Sequence, residues 1–563
     1  MRIVVVGGVA GGMSAAARAR RLDESAEIVV LERGAHPSFA NCGLPYFVGG
    51  EITDPDRLLV QTPASLRAAL DLDVRTGHEV TAVDTARRVL TVRSADGLSE
   101  LSYDALVLAP GARAVRPPVP GLDSPRVRTL RTVPDARALR DRVEDGARRA
   151  VVLGGGFIGV EAAEALALAG LEVTLVELGA HVLPPLEDEI AHPVTEELRR
   201  LGVDVRAGVG AAEVLTGPLR DDVVLTDGTR VSADLVVLSV GVRPDTAPFE
   251  AAGIACERGA IVVDAHGRTS APGVWAVGDA VVSTDAVTGV RRPVPLAGPA
   301  NRAGRLVADD ILRPGTARPL PAPLGTAIVR VGSLTAATTG ADRRALASAG
   351  IDHRTLHLHP NQHAGYFPGA EQIHLLVHVR AGDGRLLGAQ AVGTDGVDKR
   401  IDVLATAIRA GMAVADLIDL DLAYAPPYGQ AKDPVNLAGM VGANVLDGTL
   451  RLWYADQLDE VLPTALVLDT RSEAEYAAGH LPGSLNVPHT ELRDRLDEVR
   501  AAAAGRPVRA LCGSGVRSAL AHRVLTQAGL DSASLSGGML TLRAALGDRA
   551  ASAIVTPEPA GRG

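Results

Sequence analysis

The chain has 563 residues, of which 47% are hydrophobic and 22% charged. At roughly 150 residues per domain this makes nearly four units, with apolar surface for several cores and no charge bias toward disorder, which excludes a single small binding module. A formal net charge of −10 excludes a large sequence-independent affinity for nucleic acid or anionic lipid, so any anionic ligand has to be held by a local pocket.

Met1 leads directly into a strand-like segment at residues 2–6, with no room for a basic leader. No apolar, uncharged run reaches the roughly 18 residues of a membrane span. A cytoplasmic protein without a membrane or nucleic-acid partner is expected. The three cysteines, Cys42, Cys256 and Cys512, are too few and too scattered for a disulfide framework or a CxxC metal site, and no metal is expected.

Residues 3–6 read as a strand, 7–12 (GGVAGG) as a glycine turn, 13–22 as a helix and 28–31 as a second strand ending in Glu32. The same order returns at 151–153, 154–159 (GGGFIG), 160–169 and 173–176, ending in Glu177. One βαβ unit is therefore written twice, the second inserted in the first if residues 269–279 return to the starting domain. Short apolar strands at 327–331, 373–379 and 386–392 then precede a helix at 401–410, an α+β pattern suited to an interface domain. After a polar stretch near 442–457, strands at 466–469 and 508–511, the latter running into Cys512, predict a separate α/β domain from about residue 456.

In such a βαβ unit the turn must let backbone N–H groups and the helix start approach a pyrophosphate, and a Cβ would block that approach. Gly154, Gly156 and Gly159 complete GxGxxG, and Glu177 stands where a carboxylate accepts both ribose hydroxyls. Glu177 would repel a 2′-phosphate, which favours NADH without forbidding NADPH. The first turn departs from the pattern, because Val9 stands at the middle glycine.

Cys42 lies in SFANCGLPYFVGG. A free cysteine is most often a buried small hydrophobe. The neighbours Ser38, Asn41 and Gly43 point instead to a redox thiol, and a helix start after Cys42 is expected to lower its pKa. Cys256, in GIACERGA, reads as structural. Cys512 opens CGSGVRS after an apolar strand. A loop of small residues turns N–H groups toward the thiol, while Arg517 and the following helix start are expected to add positive potential, so that a thiolate can carry sulfane sulfur.

The two glycine turns, Glu32, Ala109-Pro110-Gly111 and VWAVGD at 274–279 together resemble the two-dinucleotide flavoprotein disulfide reductases over about residues 1–440. The resemblance implies FAD held by Gly7, Gly11, Gly12, Glu32 and Asp279, with Arg33, Val80, Ala109, Gly111 and Gly278 as further cofactor positions. It implies a nicotinamide nucleotide at Gly154, Gly156, Gly159, Glu177 and Gly241, and Cys42 facing the flavin. Members that reduce protein or glutathione disulfides carry CxxxxC, whereas residue 47 here is Phe. With no resolving thiol nearby, Cys42 must cycle between thiolate and a mixed disulfide, persulfide or sulfenate.

Two single-cysteine groups remain. NADH peroxidases and oxidases carry a His in the first glycine turn, where this chain has Ala10. GGVAGG, SFANCGLPY, HAGYFPGA at 363–370 and YAPPYG at 424–429 resemble coenzyme A disulfide reductase. That implies a homodimer in which Tyr366 and Tyr424 reach the partner's active cysteine as proton donors, with Tyr428 a lesser candidate. It also implies a coenzyme A pocket lined by Ser14, Arg18, Arg21, Ser38 and Asn41. Asp469-Thr470-Arg471, Glu475, HLPGSLNVP at 480–488 and the Cys512 loop closely resemble a rhodanese domain over residues 456–548.

The expected fold is α/β: two Rossmann-like dinucleotide-binding domains, for FAD and NAD, an α+β dimerisation domain and a C-terminal rhodanese-like domain. The expected boundaries are 1–112 and 246–320 for the FAD domain, 113–245 for the NAD(P)H domain, 321–441 for dimerisation, 442–455 for a linker and 456–550 for the rhodanese. The expected activity is NAD(P)H-driven, FAD-dependent reduction of coenzyme A disulfide, coenzyme A persulfide or polysulfide. The rivals are an NADH oxidase or peroxidase, and a flavoprotein whose rhodanese is a docking or sulfur-sensing module.

Overall fold

Arg2–Val6 is a strand whose last four side chains are buried, as an apolar run covered on both faces of a parallel sheet must be. The structure, a computed structural model, describes residues 1–556. In its first sheet the order is Val274–Ala276, Ala105–Leu108, Arg2–Val6, Glu27–Glu32 and Asp73–Thr76, with parallel pairing throughout. A second sheet repeats the plan with Asp204–Ala207, Glu172–Glu177, Arg149–Leu153, Leu235–Leu238 and Val127–Arg128. Each glycine turn leaves the C-terminal end of the central strand, where strand order reverses and such sheets bind ligands.

The duplication reaches further than the βαβ unit. Each copy carries a three-stranded antiparallel sheet, Glu79–Asp84, Val89–Ser94 and Gly97–Ser102 in one and Ala211–Thr216, Asp221–Leu225 and Arg230–Ala233 in the other. These strands went unread in the sequence because few of their side chains are fully buried, so the apolar signal is thin.

Both copies lie in one compact unit, Met1–Ala180 with Leu201–Gly325, and a second unit takes His181–Arg200 together with the described residues from Thr326 onward. The helix Asp188–Arg200, which the sequence reading counted within 113–245, thus packs in the second unit; just before it, Gln390 accepts from the Glu187 N–H at 2.7 Å and donates to the Pro185 carbonyl at 3.1 Å. The second unit holds an antiparallel sheet in the order Ala327–Val331, Leu334–Gly340, Leu386–Gly393, His374–Arg380 and His353–Leu358. Two of these strands escaped the sequence reading, LTAATTG for its small polar residues and HRTLHL for its histidines and arginine.

The last sheet is parallel, Leu452–Trp453, Ser532–Leu535, Val508–Leu511, Leu466–Asp469 and Leu485–Asn486. Trp453 is buried in its core and donates its indole N–H to the Ala510 carbonyl at 3.1 Å. This domain therefore takes in residues ahead of 456, and the helix Pro434–Leu446 runs through the start of the expected linker. Among the described residues no helix is long and apolar enough to cross a membrane.

Candidate functional site

The second glycine turn shows which glycines the protein itself requires. A Cβ on Gly159 would stand 1.8 Å from the Gly154 carbonyl oxygen, so the turn could not close, whereas one on Gly156 would meet nothing within 4 Å. The bare backbone at Gly156 leaves room for a ligand phosphate. Glu177 accepts N–H bonds from Gly155 and Gly179, both at 2.6 Å. In the first copy Glu32 accepts from Gly8 at 2.8 Å and Gly34 at 2.6 Å. Both carboxylates are thus fixed at the strand end with lone pairs left for ribose hydroxyls.

The first turn is closed in the same way. A Cβ on Gly12 would strike the Gly7 carbonyl, and one on Gly7 the Ala109 carbonyl. Asp279, after Gly278 at φ +82°, accepts from Arg131 at 3.3 Å. Arg33 pairs with Asp245 at 2.8 Å, Val80 is buried, and Gly111 and Gly241 hold positive φ. The two cradles fit the pyrophosphates and riboses of two dinucleotides.

Cys42 sits in the tight turn Asn41–Gly43 ahead of the helix Leu44–Val48, an exposed residue that lines a cavity of about 510 Å³. Ser14, Arg18, Arg21, Ser38 and Asn41 all line that cavity, as do Val9 and Ala10 of the first glycine turn. Ser38 holds φ +49°, a left-handed backbone that serine seldom takes, while its N–H donates to Gly8 at 2.7 Å.

The expected acidification of Cys42 is not found. Partial burial pushes the thiol up and the negative charge of Glu161 adds to it, while a five-residue helix is too short to supply much opposing dipole. The cavity also holds two polar residues the sequence reading missed, Asn301 and Arg305 of the helix Ala297–Leu312. Gly304 lets that helix press against Ala10–Leu22, since a Cβ there would stand 2.1 Å from the Gly11 carbonyl oxygen. Ser14 then donates to Asn301 at 2.5 Å. The i,i+4 spacing of Asn301 and Arg305 was the only sequence signal. Arg18 is paired with Asp309 at 2.6 Å, while Arg21 and Arg305 are exposed and carry no ion pair among the described residues.

Cys512 is buried at the end of Val508–Leu511. Its sulfur accepts the Gly515 N–H at 3.2 Å and the Ser518 hydroxyl at 3.4 Å, a cradle for negative charge. Arg517 interacts with the cysteine, yet its guanidinium also grips both Glu475 oxygens at 2.6 and 2.7 Å and holds that carboxyl down at about 2. The positive potential expected from Arg517 is therefore largely offset, a pairing that joins residues far apart in the chain. Cys256 packs half-buried against the core of its domain.

The family model described as pyridine nucleotide-disulphide oxidoreductase matches residues 1–303, that family's dimerisation domain matches 326–434, and a rhodanese-like domain matches 451–545. The chain belongs to the pyridine nucleotide-disulphide oxidoreductase family. It is an oxidoreductase, and flavin and nicotinamide cofactors come with that family. A coenzyme A disulfide reductase of Staphylococcus haemolyticus is 34% identical over 449 residues, 78% of this chain and 98% of that protein. The solved structure of reduced Bacillus anthracis CoADR-RHD has a TM-score of 0.94 at 39% identity, covering 97% of this chain and 98% of its own. That of an NAD-dependent persulfide reductase from A. fulgidus has a TM-score of 0.90 at 38% identity, covering 96% and 100%. The resemblance and the α/β fold class read from the sequence both stand.

In this oxidoreductase Tyr366 and Tyr424 lie in the dimerisation domain, exposed, with hydroxyls 3.0 Å apart. That bond pushes the Tyr366 phenol up, so it stays protonated at neutral pH. Tyr428 is exposed nearby in sequence. One buried guanidinium ties the two tyrosine segments: Arg400 donates to the Gln362 carbonyl at 2.7 Å and to Asp433 at 2.8 Å. Replacing Arg400 with Leu leaves the buried Asp433 with Lys399, 3.5 Å away, as its remaining cation and the Val435 N–H as a hydrogen-bond donor, and is expected to cost about 3 kcal/mol of stability. A denaturant midpoint equal to that of the parent protein would contradict this.

Proposed function

We propose that the chain is an NADH-dependent, FAD-containing reductase of coenzyme A disulfide and coenzyme A persulfide that works as a homodimer, with Cys512 as a carrier of sulfane sulfur. The observation that carries the reading is one cavity lined by Cys42 together with Arg18, Arg21 and Arg305, of which Arg21 and Arg305 carry no ion pair among the described residues. Coenzyme A brings a pyrophosphate and a 3′-phosphate, which need fixed cations, and a sulfur that must end at Cys42. The Staphylococcus haemolyticus relative is a coenzyme A disulfide reductase and the A. fulgidus relative an NAD-dependent persulfide reductase, which supports a coenzyme A disulfide or persulfide as substrate. Glu177 supports NADH, since its carboxylate would face a 2′-phosphate.

The ionised Cys42 sulfur attacks CoA–S–S–X, where X is coenzyme A or hydrogen. The Cys42–S–S–CoA bond forms, and coenzyme A thiolate or hydrosulfide leaves. Flavin and nicotinamide, when bound, would supply the two electrons needed to return Cys42 to the thiolate and release coenzyme A. Tyr366 and Tyr424 of the partner subunit donate the proton to the departing thiolate. Glu177 and Glu32 would hold the two riboses, and the glycine turns the pyrophosphates.

The test is anaerobic. The protein is reduced with NADH, then mixed in turn with coenzyme A persulfide, coenzyme A disulfide, glutathione persulfide and peroxide, and the return of the oxidised flavin spectrum is timed. Coenzyme A species are expected to react fastest. Removing both Arg21 and Arg305 should raise their KM by about tenfold and flatten the salt dependence. Fastest reoxidation by peroxide, indifferent to coenzyme A, would replace this reading with the oxidase or peroxidase one.

A further inference from the structure

The sulfur loop of the rhodanese-like domain is held from behind. The first turn of the helix Gly538–Leu546 donates two backbone N–H groups to it, from Met539 to the Cys512 carbonyl at 2.8 Å and from Leu540 to the Gly513 carbonyl at 3.0 Å. Gly538 permits that approach, because a Cβ there would stand 2.4 Å from the Cys512 carbonyl oxygen.

The residues just ahead of this helix are gripped by the antiparallel sheet of the same unit. The Ser536 hydroxyl lies 2.7 Å from His357 Nδ1, and His357 Nε2 lies 2.7 Å from a Glu189 oxygen. Glu189 also takes Arg343 at 2.6 Å. Burial would raise the Glu189 carboxyl, but the His357 bond and the Arg343 charge outweigh it and hold it below the usual carboxylate range. An ionised Glu189 can only accept, so Nε2 carries the hydrogen, and Nδ1 faces the Ser536 hydroxyl. His359, one residue past the end of the strand His353–Leu358, grips Thr541 at 2.8 Å. Its burial and its neighbour His374 push it well below the usual histidine range, so it stays neutral. Ser536 and Thr541 are 3% and 4% exposed, so neither bond is exchanged for water.

We propose that His357 is a positioning residue for sulfur transfer at Cys512, acting through Ser536 on the turn whose N–H groups fix the carbonyls of the sulfur loop. The inference rests on Cys512 being a sulfur carrier. None of Glu189, His357 or Ser536 takes part in the Cys42 reaction, so the two activities should separate.

The experiment uses the full-length, flavin-loaded protein with thiosulfate as sulfur donor and cyanide as acceptor. The Cys512 thiolate takes the outer sulfur and releases sulfite; cyanide then takes that sulfur as thiocyanate and restores the thiolate. His357→Ala is expected to lower kcat about tenfold or more with the thiosulfate KM nearly unchanged, since small misplacements of a reacting group cost rate more than binding. The pH profile of iodoacetamide alkylation, followed at the Cys512 peptide, should shift with it. His357→Gln, whose amide can donate to Glu189 and accept from Ser536, should restore most of both, and coenzyme A disulfide reduction should not change.

Unaltered kcat and alkylation profile in His357→Ala, or no rescue by His357→Gln, overturns the inference. If His357→Ala does not fold, Ser536→Ala, which removes one hydroxyl, decides by the same two readouts. If the parent protein transfers no sulfur at all, the reading of Cys512 fails separately, and the alkylation profiles alone decide whether His357 positions the loop.

Discussion

Cys42→Ser is expected to remove turnover of coenzyme A disulfide and persulfide by at least about 1000-fold, while NADH still bleaches the flavin at close to the parent rate. A serine hydroxyl ionises far too weakly to attack a disulfide at neutral pH, and no second cysteine stands ready to replace it. Cys256 packs against a domain core and Cys512 is buried in its own domain. The NADH step should survive because the second glycine turn and Glu177 do not involve the thiol. Stopped-flow bleaching by NADH, followed by addition of coenzyme A disulfide, separates the half-reactions. Reoxidation of the variant by coenzyme A disulfide at the parent rate would remove Cys42 from the chemistry. The protein without cofactor adds a pH check. Burial and Glu161 push the Cys42 thiol up, so its alkylation by iodoacetamide should keep accelerating above the ordinary thiol range, and a plateau near neutral pH would contradict the environment described.

Cys512→Ser is expected to abolish sulfur transfer from thiosulfate or polysulfide, again by about 1000-fold or more, with coenzyme A disulfide reduction unaltered. The Gly515 N–H and Ser518 hydroxyl stabilise charge on whatever atom residue 512 presents, but oxygen cannot take up sulfane sulfur as a persulfide. Mass measurement after incubation with thiosulfate should show one added sulfur in the parent and none at residue 512 in the variant. Polysulfide-driven NADH oxidation that survives in Cys512→Ser would mean that the rhodanese-like domain does not feed the flavin site, and would favour a docking or sensing role for it.

The glycine turns show why part of this molecule was legible in sequence. Closing a strand-to-helix turn around a phosphate demands glycine at fixed offsets, and Glu177 must stand at the end of the next strand for its carboxylate to meet the Gly155 N–H. Such constraints are local, so they leave a mark at short spacing. The single cysteine after the first unit and the small-residue loop after Val508–Leu511 were legible for the same reason. Strands such as Leu334–Gly340 and the two inserted antiparallel sheets were not, because their side chains are small, polar or half-buried and give no strong period.

The amino-acid sequence by itself determined the duplicated nucleotide-binding plan, the solitary redox cysteine and the sulfur loop, since each follows from residues a few positions apart. Only the tertiary structure decided what those groups face. Arg305 reaches the Cys42 cavity because Gly304 lets two helices nearly 290 residues apart touch, Glu475 neutralises Arg517 across 42 residues, and Glu189 leaves the nucleotide-binding segment to hold His357 behind the Cys512 loop. Contacts of that kind are set by how separate elements pack, and packing depends on shape and burial that no local spacing records.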